Sequence, residues 1–104
     1  MKVLAFRMKL FPGYSQEYKL RHDQIWPELK LLLKDYGISD YRIFLDEETH
    51  FLFSVFTAEN EDLLSQLPEN PVMKKWWVFM KDIMETNEDH SPLSLPLKNV
   101  FFMQ

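Results

Sequence analysis

The segment Phe51–Ala58, FLFSVFTA, puts apolar side chains on both sides of an extended chain. Successive residues of a strand point to opposite faces, so Phe51, Phe53 and Val55 look one way and Leu52 and Phe56 the other. A strand with two apolar faces needs cover on both. That demand limits the chain to a layered fold, with helices over one face of a sheet and something else over the second.

The flanking segments supply the layers. Lys2–Leu10 alternates as a strand, with Leu4, Phe6, Met8 and Leu10 on one side and Val3, Ala5, Arg7 and Lys9 on the other. Phe11-Pro12-Gly13 turns the chain. A helical stretch then runs from about Tyr14 to Tyr36, and Gly37 ends it as a C-terminal glycine cap. Pro27 lies inside that stretch and removes a backbone donor. The helix therefore kinks there or divides, with Asp23 as the cap of the second piece. Ile38–Leu45 and Phe51–Ala58 read as two strands joined through Asp46-Glu47-Glu48-Thr49 as a hairpin. A second helical region starts at Glu59, with a short piece ending near Pro68. A stronger piece runs from about Val72 to Met84, with Val72, Trp76, Phe79, Met80 and Ile83 on one face. Asn87–Pro96 has the composition of a loop, and Lys98–Met103 reads as a last strand.

This order predicts an α+β fold of ferredoxin-like βαββαβ type, a four-stranded antiparallel sheet with helices on one face. At 104 residues the chain is expected to be one domain. The uncovered face of the sheet predicts a second copy, a homodimer pairing sheet against sheet as a dimeric α/β barrel.

A net charge of −4 and the lack of a Lys/Arg cluster argue against nucleic acid or an anionic membrane as partner. There is no cysteine for disulfide or thiol chemistry. Arg7 and Lys9 interrupt the first apolar run, unlike a signal peptide, and no uncharged run approaches the ~18 residues of a membrane span. A cytoplasmic location is the expectation. His22, His50 and His90 lie far apart without metal-ligand spacing. Gly-rich phosphate loops and a GxSxG elbow are absent. A site without a metal ion, a phosphate-cradling loop or a serine elbow is therefore expected.

Tyr18 and His22 are four residues apart and share a helix face. Histidine titrates near neutrality, which makes His22 the best candidate for moving protons. The same face carries Ile25, Leu29 and Leu32, so His22 reads either as a packed core residue or as a cleft residue beside the break. Trp76 and Trp77 point about 100° apart on a helix, either as core or as one core and one rim residue. Indoles can pack on the C–H face of a sugar ring while donating a hydrogen bond. Tyr41 adds an amphipathic phenol on the second strand.

The pieces Tyr18-x-x-Arg21-His22-x-x-x-Trp26-Pro27-Glu28-Leu29, Tyr41, Trp76-Trp77 and Asn87-x-Asp89-x-Ser91-Pro92 together resemble the L-rhamnose mutarotase family along essentially the whole chain. Glu88 stands in that loop where proline is expected, and Asp23-Gln24 stands where Asn-Pro can occur. The resemblance implies a ferredoxin-like dimer that interconverts the anomers of L-rhamnose without a cofactor. It implies His22 as proton donor, and Tyr18, Tyr41, Trp76 and Trp77 as the residues that hold the sugar. Two other readings use the same features. One is a small monooxygenase of this fold acting on haem or an aromatic substrate, and the other is a non-catalytic sugar-binding dimer.

Overall fold

The computed structural model describes residues 1–104. Strands β1 (Lys2–Lys9), β2 (Ile38–Leu45) and β3 (Phe51–Ala58) form an antiparallel sheet with a short β4 (Leu95–Pro96), in the order β2-β3-β1-β4. This is the ferredoxin-like arrangement. β1 and β3 pair in unbroken register from Lys2 opposite Ala58 to Lys9 opposite Phe51. That register places Leu4, Phe6, Met8, Leu52, Ser54, Phe56 and Ala58 on one face. Leu10, Leu52, Leu29 and Ile83 are the large side chains most completely sealed from solvent.

The predicted last strand is displaced. Lys98–Met103 is not a strand, and β4 lies within the segment expected to be a loop. Leu95 and Pro96 pair with Arg7 and Phe6, and Leu97 N–H donates to the Ala5 carbonyl. The apolar run Val100–Met103 that suggested a strand lies at 77–86% exposure. Its pattern describes a segment in want of a partner, which this sheet does not provide.

Pro27 divides the first helical stretch into α1 (Ser15–Asp23) and α2 (Pro27–Asp35). Asp23 does not cap the second piece. It is the last residue of α1, paired with Lys19 at 2.8 Å, and Trp26 precedes Pro27 at the start of α2. Proline suits a first helical position, where its missing N–H would have no intrahelical partner. Trp26 there accepts from Leu29 and Lys30 through its carbonyl. Gly37 follows α2 at φ +81°, and an added Cβ would come within 3.2 Å of the Glu59 Cβ, so the position requires glycine twice over.

The second helical region is shorter and more broken than its pattern. Asn60 caps α3 (Glu61–Leu64) by accepting from Asp62 and Leu63 N–H. A 3₁₀ turn at Leu67–Glu69 leads to α4 (Pro71–Met80), capped by Asn70 through Val72 N–H. Of the face read from sequence, Trp76, Met80 and Ile83 are buried and Val72 packs against the core, while Phe79 is 40% exposed and Met73 is buried in addition. Beyond Met80 the chain turns, carrying the buried Ile83 and Met84 without helix. The helices cover the Leu52–Phe56 face. The other face keeps Val3 and Phe44 about 60% exposed, and Arg7 and Lys9 lie over the Phe51 ring at 4.4 and 5.0 Å. No helix is long and apolar enough to cross a membrane.

Candidate active site

One large cleft of ≈ 1300 Å³ runs between the covered sheet face and the helices, and Tyr18, His22, Tyr41, Trp76 and Trp77 all line it. The structure thus brings together every site residue expected from sequence. The volume exceeds what one pyranose needs, so the convergence of polar groups marks where a small ligand would sit.

α1 contributes Tyr18 and His22. Their rings stack at 4.4 Å, as the four-residue spacing allows. His22 Nδ1 lies 3.0 Å from the Tyr18 carbonyl oxygen. A carbonyl can only accept, so Nδ1 carries the hydrogen and Nε2 is left free. Burial lowers the pKa of His22, against the opposing pull of the Tyr18 carbonyl and Asp23. The resting imidazole at neutral pH is therefore neutral, with a lone pair on Nε2. Tyr18 is buried, and its desolvation, with a smaller contribution from Tyr41, raises its pKa far above the ordinary phenol value. Its hydroxyl stays protonated across the physiological range.

α4 brings the indoles. Trp76 is 6% exposed and meets His22 edge-on at 5.5 Å, Trp26 edge-on at 5.0 Å and Phe79 tilted at 5.5 Å. Trp77, one position on, is half-buried at the cleft wall. Trp26, which sequence reasoning passed over as part of a helix break, is thus the strut between α2 and α4. Its signal was weak: it stands as the N-cap before Pro27 without a side-chain cap bond, and its ring packs instead on Trp76 and Phe79 of α4.

Tyr41 reaches the cleft through a β-bulge. Ser39 pairs with Thr57, but the next pairing is Arg42 with Val55, so β2 holds one extra residue there. Asp40 takes it up at φ +50°. Regular alternation from Ile38 would send Tyr41 to the outer face. The bulge returns it to the face of Ile38 and Ile43, where its ring stacks on Phe56 at 5.1 Å and 10°. Tyr41 keeps 43% of its surface exposed, yet its hydroxyl end is desolvated, which raises its pKa; the neighbouring Ser54 hydroxyl pulls the other way. Ser54, at 2% exposure, is the one buried polar residue of the chain. It faces the cleft from the middle of β3 and was missed because a serine in an apolar strand carries no motif.

The loop after α4 closes one end. Asn87 donates from Nδ2 to Ser91 Oγ at 3.0 Å and to the Pro92 carbonyl at 3.3 Å. Ser91 donates from its N–H and hydroxyl to Asp89 Oδ1, and these bonds hold the Asp89 carboxyl below its usual pKa. With Glu88 in place of proline the loop is still tied, by Asn87 N–H donating to the Ser91 carbonyl at 2.8 Å. No three acidic or histidine side chains gather in a way that could hold a metal ion.

Comparison with known proteins points the same way. Residues 3–103 match the family described as L-rhamnose mutarotase. L-rhamnose mutarotase of Sinorhizobium fredii is 54% identical over 103 residues, covering 99% of both chains. That of Brucella anthropi is 59% identical over 99 residues, covering 95% of this chain and 93% of the relative. The crystal structure of L-rhamnose mutarotase from Formosa agariphila superposes with a TM-score of 0.93 at 53% identity, covering all of both chains.

Proposed function

The chain belongs to the L-rhamnose mutarotase family, and from that premise we propose how its cleft performs the reaction. The enzyme is an isomerase that interconverts the α and β anomers of L-rhamnose. Interconversion opens the pyranose to the aldehyde, rotates that group, and closes the ring on its other face.

His22 moves the proton. Opening removes a proton from the anomeric hydroxyl and delivers one to the ring oxygen, and both oxygens are bonded to the same carbon. Nε2 takes the hydroxyl proton, the bond between C1 and the ring oxygen breaks, and the imidazolium returns the proton to that oxygen. His22 ends neutral, the proton count closes, and neither cofactor nor covalent intermediate enters the balance. Positioned acid–base catalysis of this kind is worth ~10²–10⁴-fold. Tyr18, kept protonated by burial, and Tyr41, with its pKa raised at its desolvated hydroxyl end, hold the sugar hydroxyls. Trp76 and Trp77 face the C–H surface of the ring.

The observation that carries this reading is the bond between His22 Nδ1 and the Tyr18 carbonyl, which commits one ring nitrogen and frees the other inside the cleft. The test is saturation-transfer NMR between the anomers of L-rhamnose. A folded His22→Ala protein should exchange them ~10²-fold more slowly than the parent; exchange at the parent rate would remove His22 from the mechanism.

The whole chain, residues 1–104, acts as a single domain in this reading, and it works as a homodimer. Support comes from the outer sheet face, with exposed Val3 and Phe44, and from the exposed Val100-Phe101-Phe102-Met103 tail. Apolar surface of that extent marks an interaction site, and a second copy is its simplest cover. The reaction takes place in the cytoplasm, in keeping with a cysteine-free chain.

A further inference from the structure

Arg21 stands beside His22 in the sequence and has had no part in the chemistry so far. Its side chain is only 11% exposed. Nη1 donates to the Phe79 carbonyl at 2.7 Å and to Asp82 Oδ1 at 2.9 Å, Nη2 donates to Asp82 Oδ2 at 3.2 Å, and Nε donates to Glu17 at 2.8 Å. The guanidinium also lies 4.4 Å from the centre of the Phe79 ring. A planar fork of this kind fixes direction as well as distance, which an ammonium group cannot do. Its anchor is the C-terminal turn of α4, where the Phe79 carbonyl has no intrahelical donor and a cation complements the helix dipole.

The need for such an anchor follows from how little else holds α1. Tyr18 is its only buried residue, and Leu20 is half exposed. Apolar packing therefore does little to set the position of this helix. Yet α1 carries Tyr18 and His22, α4 carries Trp76 and Trp77, and the His22 and Trp76 rings meet edge-on at 5.5 Å, so the placement of α1 against α4 sets where the imidazole stands in the cleft.

We propose that Arg21 is a positioning residue, clamping α1 to the end of α4 through Asp82 and the Phe79 carbonyl so that the His22 imidazole keeps its place against Trp76. This rests on His22 as the proton carrier. A misplacement of about 1 Å at a reacting group can cost ~10²-fold in rate. Loss of the clamp therefore lowers kcat and leaves KM nearly unchanged, because the indoles and Tyr41 still hold the sugar.

The experiment pairs kinetics with a direct view of the imidazole. His22 lies 4.4 Å from the Tyr18 ring and 5.5 Å edge-on from Trp76, so ring currents displace its carbon-bound proton resonances. Arg21→Lys keeps the charge and removes the fork; Asp82→Asn, at a largely exposed carboxylate, weakens the clamp from its other end with little risk to folding. Both should move the His22 resonances in the folded protein and lower kcat for L-rhamnose ~10-fold or more, with KM changed less than about twofold. Lys74→Ala, which removes an exposed pair with Glu69 on α4, should move neither. Folded Arg21→Lys and Asp82→Asn proteins with parent resonances and parent kcat would overturn the clamp. Displaced resonances with parent kcat would uphold the clamp's geometry and overturn the role of His22 instead.

Discussion

Trp76→Ala should be far more damaging to the fold than Trp77→Ala, and the margin can be worked from the packing. Trp76 is 6% exposed where rings from α1, the α1–α2 break and α4 converge, with centroids 5.0–5.5 Å away. Truncating a buried tryptophan to alanine costs about 3–5 kcal/mol. Edge-on aromatic pairs add about 0.5–1.5 kcal/mol each, which places this site toward the upper end. A domain of this size has roughly 5–15 kcal/mol of stability in total. Each kcal/mol moves the melting temperature of such a domain by about 4–8 °C, so Trp76→Ala should melt about 15–40 °C below the parent. Trp77 is half-buried, and its truncation should cost about half as much. Its work is at the cleft: Trp77→Phe keeps an apolar wall but loses the indole N–H. A net hydrogen bond is worth about 0.5–1.5 kcal/mol, so L-rhamnose affinity should fall roughly 2–10-fold in a stable protein. Circular-dichroism melts paired with sugar titration below both transitions give the answer. Equal melts with unaltered affinity in both variants would refute the division of labour.

Two further outcomes follow. Burial lowers the folded-state pKa of His22 below 6.5, so as pH falls the unfolded chain takes up a proton that the native chain refuses. Stability from this group should therefore decline from about pH 6.5 down through the native value, and anomer exchange should hold its rate to below pH 6.5. An acid limb centred above 6.5 in the saturation-transfer profile would contradict a buried, neutral imidazole. Light scattering at micromolar concentration should give twice the 12.6 kDa chain mass; the monomer mass would leave the outer sheet face without an explanation.

Much of the fold was legible because it follows from local rules. Alternation located β1, β-branched and aromatic composition around a short polar turn located β2 and β3, and Gly37 marked the end of α2. The errors came where a segment's pattern depends on something distant. Val100–Met103 has strand composition but no strand in this sheet to pair with. The face of α4 was read correctly at Trp76, Met80 and Ile83, but Phe79 lies 40% exposed and Met73 is turned inward against the core instead. Spacing brought Tyr18 to His22, since both lie on one helix, but could not bring Tyr41 to them. That required an extra residue in β2, and Asp40 looks like any other polar strand residue until its partner strand is known. Ser54 was silent for a related reason: its importance lies in being the polar exception on an otherwise apolar sheet face, and that face is defined by three strands together.

The sparse packing of α1 has a consequence for how the molecule wears out. A segment that buries one side chain and hangs from a charged clamp opens at much lower free energy than the β1–β3 ladder, whose residues separate only when the whole domain does. Its amides should trade hydrogen with solvent early, while those of the central strands persist. Rising denaturant would then abolish turnover while the sheet still gives its full spectroscopic signal, and dilution would restore it without refolding. The helix that performs the reaction is thus the part of the molecule that fatigues first and recovers first.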